Sequence, residues 1–146
     1  MPRSSPRDFS LPIPQIRSGY YSDKYFVRSQ ILLKKENRHP QVVMQLFCKK
    51  EALLCGVNEV VTCLKRGSPA PRSFEVYALR DGEWVKPWET VMRIVGDYAA
   101  FIHLETVYLG VLTRRTSLAT AVRQVVEACK GKPVFFFAAR FDHFLN

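Results

Sequence analysis

The sequence predicts an α+β domain that continues into a helix–strand unit of the kind found in parallel sheets and α/β barrels. Between residues 41 and 97, short segments with alternating apolar residues are interrupted by a helical segment, as in a mixed domain. Later, a helical pattern precedes the unbroken apolar run PVFFFAA (residues 133–139), which indicates a strand buried on both faces. One such strand would leave its backbone groups without partners. We therefore expect the chain to be the front part of a longer protein.

The first forty residues predict an arm and one helix. Residues 1–18 are expected to be extended, because the first fifteen residues hold four prolines and show no periodicity. Residues 19–35 predict an amphipathic helix that Ser22 could cap.

Short strands and a helix are predicted next. Alternation predicts strands over residues 41–48 and 74–79, and shorter apolar segments predict strands at 51–56, 84–85 and 89–95. Asn58 can cap a helix that Gly67 closes. The Asp81-Gly82 pair is typical of a tight turn between two strands.

Two further helices are predicted before the final apolar run. Residues 98–112 are apolar on nearly every side, which indicates a buried helix. Ser117 can cap a second helix, which Gly131 and Pro133 end. The predicted organisation is an arm over 1–18, an α+β domain over 19–113 and a helix–strand unit over 114–146.

Composition is ordinary for a globular protein, but the charge is strongly positive. The chain has 146 residues, 47% hydrophobic and 24% charged, and a formal net charge of +9. The excess of positive charge is concentrated in two segments. Residues 1–40 hold eight Lys/Arg and three Asp/Glu, and residues 111–146 hold six Lys/Arg and two Asp/Glu. No basic stripe interleaved with aromatic residues is present, so a small anionic substrate fits the charge at least as well as nucleic acid, and solvation alone would also explain it.

Several protein classes are disfavoured by what the sequence lacks. No apolar stretch reaches the roughly 18 residues of a membrane span, and the N-terminus has no apolar core of a secretory signal. We therefore expect a cytoplasmic protein without membrane contact. The four cysteines show no CxxC or CxxH spacing, so we predict free, partly buried thiols and assign no metal ligand, with disulfides or a metal site as the alternatives. No HExxH motif and no phosphate-binding loop occurs.

Polar residues return abruptly after the final apolar run. Arg140, Asp142 and His143 follow it, and the carboxyl ends of buried parallel strands are where such folds place ligand chemistry. The Arg140 guanidinium suits a carboxylate or phosphate, and Phe137 offers an aromatic face beside it. A polar loop at a strand end would give the same pattern. Arg114 and Arg115 could add a second basic group to the site. The alternative is a structural role, at a solvated corner between two helices or in an ion pair with Glu105.

Asp23 and Tyr25 place a carboxylate and an aromatic ring near the start of the first predicted helix. On spacing alone, an acid favoured by the helix dipole is the simpler interpretation.

Three segments together resemble a known family. They are Asp23-Lys-Tyr25, the run DGEWVKPWETVMRIVGDYAAFIHLETVYLGVL, and RRTSLATAVRQVVEACKGKPVFFFAARFDH. The chain resembles the nicotinate phosphoribosyltransferases, within the type II phosphoribosyltransferases, over residues 19–146. The resemblance implies an α+β, sandwich-like N-terminal domain followed by the first helix–strand unit of an irregular α/β barrel, which this chain leaves incomplete.

The resemblance also implies an activity and a site. Such enzymes join nicotinate to phosphoribosyl pyrophosphate in NAD biosynthesis, with Mg²⁺ and coupled ATP hydrolysis, and work as homodimers with shared active sites. The family's aromatic-x-x-Arg, which holds the pyridine acid, falls on Phe137 and Arg140, and its Asp-x-Tyr, which closes the pocket from the other subunit, falls on Asp23 and Tyr25. Asp142 and His143 would either support these residues from outside the pocket or face the ribose, and Arg115 would be a further supporting residue. Phe136 and Ala138 depart from the acid and the glycine that many relatives have there.

Two alternatives remain open. One is an enzyme like the quinolinate phosphoribosyltransferases, which share the small domain and the barrel; the other is a basic binding module without catalysis. No catalytic residue is assigned within the chain, and we expect the 146-residue chain alone to be inactive.

Overall fold

The computed structural model describes residues 9–137. In chain order its elements are helix α1 (Ile13–Arg17), α2 (Lys24–Lys35), strands β1 (Gln41–Phe47) and β2 (Ala52–Leu53), helix α3 (Val57–Gly67), strands β3 (Phe74–Ala78), β4 (Trp84–Val85) and β5 (Thr90–Asp97), helix α4 (Tyr98–Phe101), a 3-10 turn (Ile102–Leu104) and helix α5 (Glu105–Ala128). The prediction of an α+β domain is confirmed.

Three antiparallel strands form the main sheet, in the order β1-β5-β3, and β2 pairs with β4 in a separate two-stranded sheet. One face of the main sheet carries Met44, Ile94 and Val76 in one row across the strands. These side chains pack with the helices, and the Phe74 and Phe101 rings lie 5.3 Å apart. The core is completed by fully buried side chains of α3, the 3-10 turn and α5, among them Val60, Leu64, Leu104 and Tyr108.

Most strand predictions are confirmed. The strands predicted at 41–48, 74–79, 84–85 and 89–95 are present within a residue or two, and Gly82 turns the chain between β3 and β4 with a φ of +92°. The strand predicted at 51–56 is wrong in length, since only Ala52–Leu53 pairs with a neighbour.

The predicted extended arm is wrong for its final part, because Ile13–Arg17 is helical. Pro14 lies in the first turn of α1, where a fixed φ and a missing N–H suit a helix start. Ile16 from this helix is buried against the core. Pro12 and Pro14, which the sequence analysis took as signs of an extended arm, therefore lie at the start of a helix.

Helix α3 is not capped by Asn58, as the sequence predicted. It begins at Val57, with Gly56 at the N-cap position, and its first amides are bound by a carboxylate from the β3–β4 turn. The Asp81 oxygens accept from the Val57 N–H at 2.8 Å, the Asn58 N–H at 3.3 Å and the Asn58 side-chain amide at 3.1 Å. The cap comes from 24 residues away, beyond the reach of a local sequence pattern.

Replacing Asp81 by alanine is expected to lower the free energy of unfolding by about 1–2 kcal/mol, because up to three hydrogen bonds and a charge at the helix N-terminus are lost together. Urea titration would measure the loss. Asp81→Asn is the matched control: it keeps one acceptor oxygen and should lose less. Equal losses in the two variants would contradict the capping role.

The two helices predicted at 98–112 and from Ser117 onwards are wrong as separate elements. A short helix and a 3-10 turn lead into one helix, α5, whose 24 residues run from Glu105 to Ala128. Ser117 therefore lies inside a helix and caps nothing. Arg114 and Arg115 lie on its middle turns, and not at a corner between helices.

The described part of the predicted strand 133–139 is also wrong. Residues 133–137 have no strand structure, and the Phe135, Phe136 and Phe137 side chains are largely exposed. A strand needs a neighbour for its backbone groups, and the described residues supply none at this segment. Residues 138 and 139 lie outside the described residues.

Candidate functional site

The sequence-predicted pair Asp23 and Tyr25 lies where α2 meets the start of α5. Asp23 occupies the N-cap position of α2, but its side chain makes no capping hydrogen bond to the helix. Its carboxylate instead accepts a hydrogen bond from the Thr106 hydroxyl at 3.0 Å. The Asp23 N–H in turn donates to the same hydroxyl oxygen at 3.1 Å.

Three more contacts hold α2 and the residues just before it against the segment before α5. The Ser22 hydroxyl donates to the His103 carbonyl. Deeper in, the Gln30 side-chain amide donates to the Ala99 carbonyl at 3.0 Å and lies 2.7 Å from His103 Nδ1. The helix carrying Tyr25 is thus held by side-chain bonds along its length as well as by packing.

Tyr25 presents an aromatic face and a hydroxyl to solvent. Its side chain is 60% exposed, although one side of the ring lies against Phe26, with centroids 4.1 Å apart. Partial burial, followed by the negative charges of Asp23 and Glu105, raises the pKa of the Tyr25 hydroxyl. It therefore stays a neutral donor at neutral pH.

Glu105 adds a second carboxyl group to this cluster. Its pKa is raised by burial and then by the negative charge of Asp23. Two acidic side chains beside an exposed phenol give a locally negative surface on a chain with a net charge of +9.

His103 lies behind the cluster and is 1% exposed. Since the Gln30 amide nitrogen is a donor, His103 Nδ1 is the acceptor and the ring is neutral. Burial lowers the pKa of His103 to about 4. The sequence analysis did not assign this histidine to the site, and its buried position gives it a structural role.

Arg115, the basic residue predicted near the site, lies elsewhere. Its guanidinium is paired with Glu59 of α3 at 2.9 Å, so the alternative ion pair with Glu105 is wrong. Nine residues along a helix turn the chain by about half a revolution, so Arg115 faces the opposite side of α5 from Thr106. The structure therefore separates Arg115 from Asp23 and Tyr25.

The other predicted site residues are at the end of the chain. Phe137 is 82% exposed and makes no strand. Arg140, Asp142 and His143 lie outside the described residues. Their roles, like that of Phe137, stay predictions.

Sequence reasoning missed Thr106 and Glu105. Both sit at the start of α5, in a stretch predicted as a uniformly buried helix, and Thr106 meets Asp23 across 83 positions of sequence. No local pattern marks a contact of that kind.

A groove of about 620 Å³ lies between α5 and the β1–β2 connection. Its walls are mainly apolar. Polar side chains in the lining are Lys49, Lys50, Glu51, Thr113, Thr116, Ser117, Thr120 and Gln124. The predicted site residues that the structure describes do not line it.

The structure offers no metal centre within residues 9–137, where no three or more His, Cys, Asp or Glu side chains come together. In the same range, no helix is both long enough and apolar enough to cross a bilayer.

Comparison with solved structures first defines the class of proteins that share this fold. The fold is shared with solved nicotinate-nucleotide pyrophosphorylases. The structure of that protein from Pyrococcus furiosus matches with a TM-score of 0.80 and 32% identity over 99% of this chain, and the chain covers 36% of that protein. The fold is also shared with the nicotinate-nucleotide pyrophosphorylase from Francisella tularensis, with a TM-score of 0.58 and 11% identity; the match covers 84% of this chain and 44% of that protein. NadC from Streptococcus pyogenes matches with a TM-score of 0.58 and 18% identity, again over 84% of this chain and 44% of that protein. No curated protein gave a significant match.

The family follows from a second comparison. The family model of the quinolinate phosphoribosyl transferase N-terminal domain matches residues 23–116. The chain belongs to this family. It spans about a third of the length of the Pyrococcus furiosus protein.

The resemblance to nicotinate phosphoribosyltransferases was therefore wrong at the level of the family. The family match is to the quinolinate type, which the sequence analysis held as an alternative.

Proposed function

We propose that the protein containing this chain is a quinolinate phosphoribosyltransferase of NAD biosynthesis. The observation that carries the proposal is the similarity to the Pyrococcus furiosus nicotinate-nucleotide pyrophosphorylase over 99% of the chain, together with the family match. The substrates would be quinolinate and phosphoribosyl pyrophosphate.

The structures of quinolinate, the substrate, and nicotinate nucleotide, the product, define which bonds must form and break. The ring nitrogen of quinolinate forms a bond to C1 of the ribose, and the bond from C1 to pyrophosphate breaks. Quinolinate carries two carboxylates and nicotinate nucleotide carries one, so the carboxylate beside the ring nitrogen must leave as carbon dioxide. The electron pair left on that ring carbon is stabilised by the adjacent pyridinium nitrogen and then takes up a proton.

In such a reaction an enzyme gains most by orienting its reactants. Well-oriented reactants can lower a barrier by about 7–11 kcal/mol. We propose that Tyr25 contributes an aromatic face and a hydroxyl donor to the pyridine pocket, and that Asp23 fixes the turn that presents it. Phe137 and Arg140 would bind the ring and a carboxylate, with Asp142 and His143 behind them.

A homodimer is part of the proposal. The Asp23–Tyr25 surface would close a pocket whose other walls belong to the second subunit. The exposed Tyr25 ring supports this, because an aromatic side chain open to solvent is available to a neighbouring molecule.

Mg²⁺ is proposed as the partner of the pyrophosphate group, whose negative charge it would neutralise. The described residues hold no cluster of ligands that fits it, so we assign it no ligand within residues 9–137. ATP coupling was implied by the nicotinate resemblance alone and is not part of this proposal.

Offering quinolinate and nicotinate separately to the full protein, each with phosphoribosyl pyrophosphate, tests the proposal. We expect nicotinate mononucleotide from quinolinate, with one carbon dioxide released per product. The 146-residue chain alone should yield no product, since it spans 36% of its solved relative. Product from nicotinate but not from quinolinate would overturn the proposal.

A further inference from the structure

We infer that the second half of helix α5 belongs to a further domain of the protein, whose core covers an apolar stripe on this helix. Four side chains form the stripe, and each is about half exposed in this structure: Leu118 (49%), Val122 (53%), Val125 (50%) and Val126 (49%). This packing is independent of which pyridine compound the protein uses.

Burial changes abruptly halfway along α5. The buried residues of this helix are Tyr108, Leu112 and Thr116, and all three lie in its first half. Residues 121–128 are exposed without interruption. The helix itself does not break between the two halves, since it runs from Glu105 to Ala128 as one element. The first half is therefore part of the α+β core, whereas the last two turns are not buried by any residue in the described range 9–137.

The family match ends at the same place. The model of the quinolinate phosphoribosyl transferase N-terminal domain matches residues 23–116, so the last matched residue, Thr116, is also the last buried residue of α5. One observation comes from sequence and the other from burial, and both put the end of the N-terminal domain in the middle of α5. The second half of the helix then lies in whatever domain follows.

The stripe has the form of a helix face that is turned towards a core. At 3.6 residues per turn, its four side chains fall within an arc of about 100°, the width of the apolar face by which a helix packs onto a protein interior. The charged residues of the second half, Arg123 and Glu127, lie outside this arc and pair with each other at 2.5 Å. A single exposed valine needs no explanation, but four apolar side chains on one uncharged side indicate a covered surface.

The size of the solved relative indicates what covers the stripe. The Pyrococcus furiosus protein matches 99% of this chain, yet the chain covers 36% of that protein, so most of that protein lies outside the match. A second copy of the chain fits less well, because a standard interface takes about 20–30 residues from each partner and the stripe supplies four. The exposed side chains of Phe135, Phe136 and Phe137, shortly after α5, add apolar surface of the same kind.

Thiol labelling of the full protein tests the inference. Val122→Cys places a thiol in the stripe, and Glu127→Cys is the matched control on the charged side of the same helix. In the native protein, the thiol at position 122 should react at least about tenfold more slowly than the thiol at position 127, because a covered thiol reacts only when the structure opens locally. Mass mapping of peptides distinguishes each new thiol from the four native cysteines.

Cys129 provides a second measurement without any substitution. It follows α5 seven residues after Val122, which is two helical turns, so it continues the stripe and should be protected in the same way. Slow labelling at both positions that does not change with protein concentration supports the inference. Rapid labelling at both would overturn it, and so would protection that is lost on dilution, because a second copy would then be the cover. None of these rates depends on turnover, so a protein that does not use quinolinate would overturn the proposed function alone.

Discussion

Gly96→Ala is expected to destabilise the domain by more than about 3 kcal/mol, a large part of the 5–15 kcal/mol that typical domains possess. Gly96 lies in β5 with a φ of +144°, a conformation that side chains rarely adopt. Its neighbours on the two flanking strands are Val42 and Phe74.

The space around Gly96 makes the effect larger than conformational strain alone. A Cβ atom there would lie 2.3 Å from the Ser73 carbonyl oxygen and 2.6 Å from Phe74 Cα. Both are backbone atoms, so no side chain can move aside to relieve the contact. β3 would have to separate from β5, and the Asp97 N–H bond to the Ser73 carbonyl would be lost with it.

Gly110→Ala is the control for this variant. Gly110 lies in α5 with open space around it, so alanine there should stabilise the chain by up to about 1 kcal/mol through its higher helix propensity. Thermal unfolding of the two variants should therefore shift in opposite directions. A melting temperature for Gly96→Ala close to that of the parent chain would show that β5 does not pass Ser73 as closely as described.

The stability of the chain is expected to fall by up to about 3 kcal/mol as the pH is lowered from 6.5 to 4 through the titration of His103. Burial lowers the native pKa of His103 to about 4, against an ordinary value of 6.5. In this window the unfolded chain binds a proton that the native chain does not, so the unfolded state gains stability. The His103 contribution is fully present above pH 6.5 and lost as the pH falls towards 4.

Replacing His103 by asparagine isolates this effect. An asparagine oxygen can accept the Gln30 hydrogen bond in place of Nδ1 and does not titrate. Urea titrations at pH 7 and pH 4.5 should show a smaller difference in the free energy of unfolding for His103→Asn than for the parent. Identical differences in the two proteins would mean that His103 is not the titrating group.

Elements with a local cause were predictable from the sequence. The alternation in β1 and β3 and the Asp81-Gly82 turn depend on neighbouring residues, and all three are present. The cap of α3 was missed, because Asp81 reaches it from a turn distant in sequence. The break predicted before Ser117 is wrong, since a serine that can cap a helix can also lie within one, as Ser117 does in α5.

For the candidate site, the sequence supplied residues but not their arrangement. Asp23 and Tyr25 were recognised as a pair, whereas Thr106, which binds Asp23, carried no signal of its own. Arg115 was grouped with the site by charge, but its ion pair with Glu59 places it on the other side of α5. The resemblance to the nicotinate phosphoribosyltransferases was overturned by the family match of residues 23–116, which no single motif in the sequence indicated.

The continuity of α5 has a consequence for how the chain can evolve. Its N-terminal half is built into the core through Tyr108 and Leu112, while Leu118, Val122 and Val125 further along are about half exposed. Inserting one residue between the halves would rotate the outer half by about 100° and advance it by about 1.5 Å, so its apolar side would point in a new direction. Inserting seven residues, about two full turns, would restore that direction but would move the outer half about 10.5 Å along the helix axis, so its contacts would still be displaced.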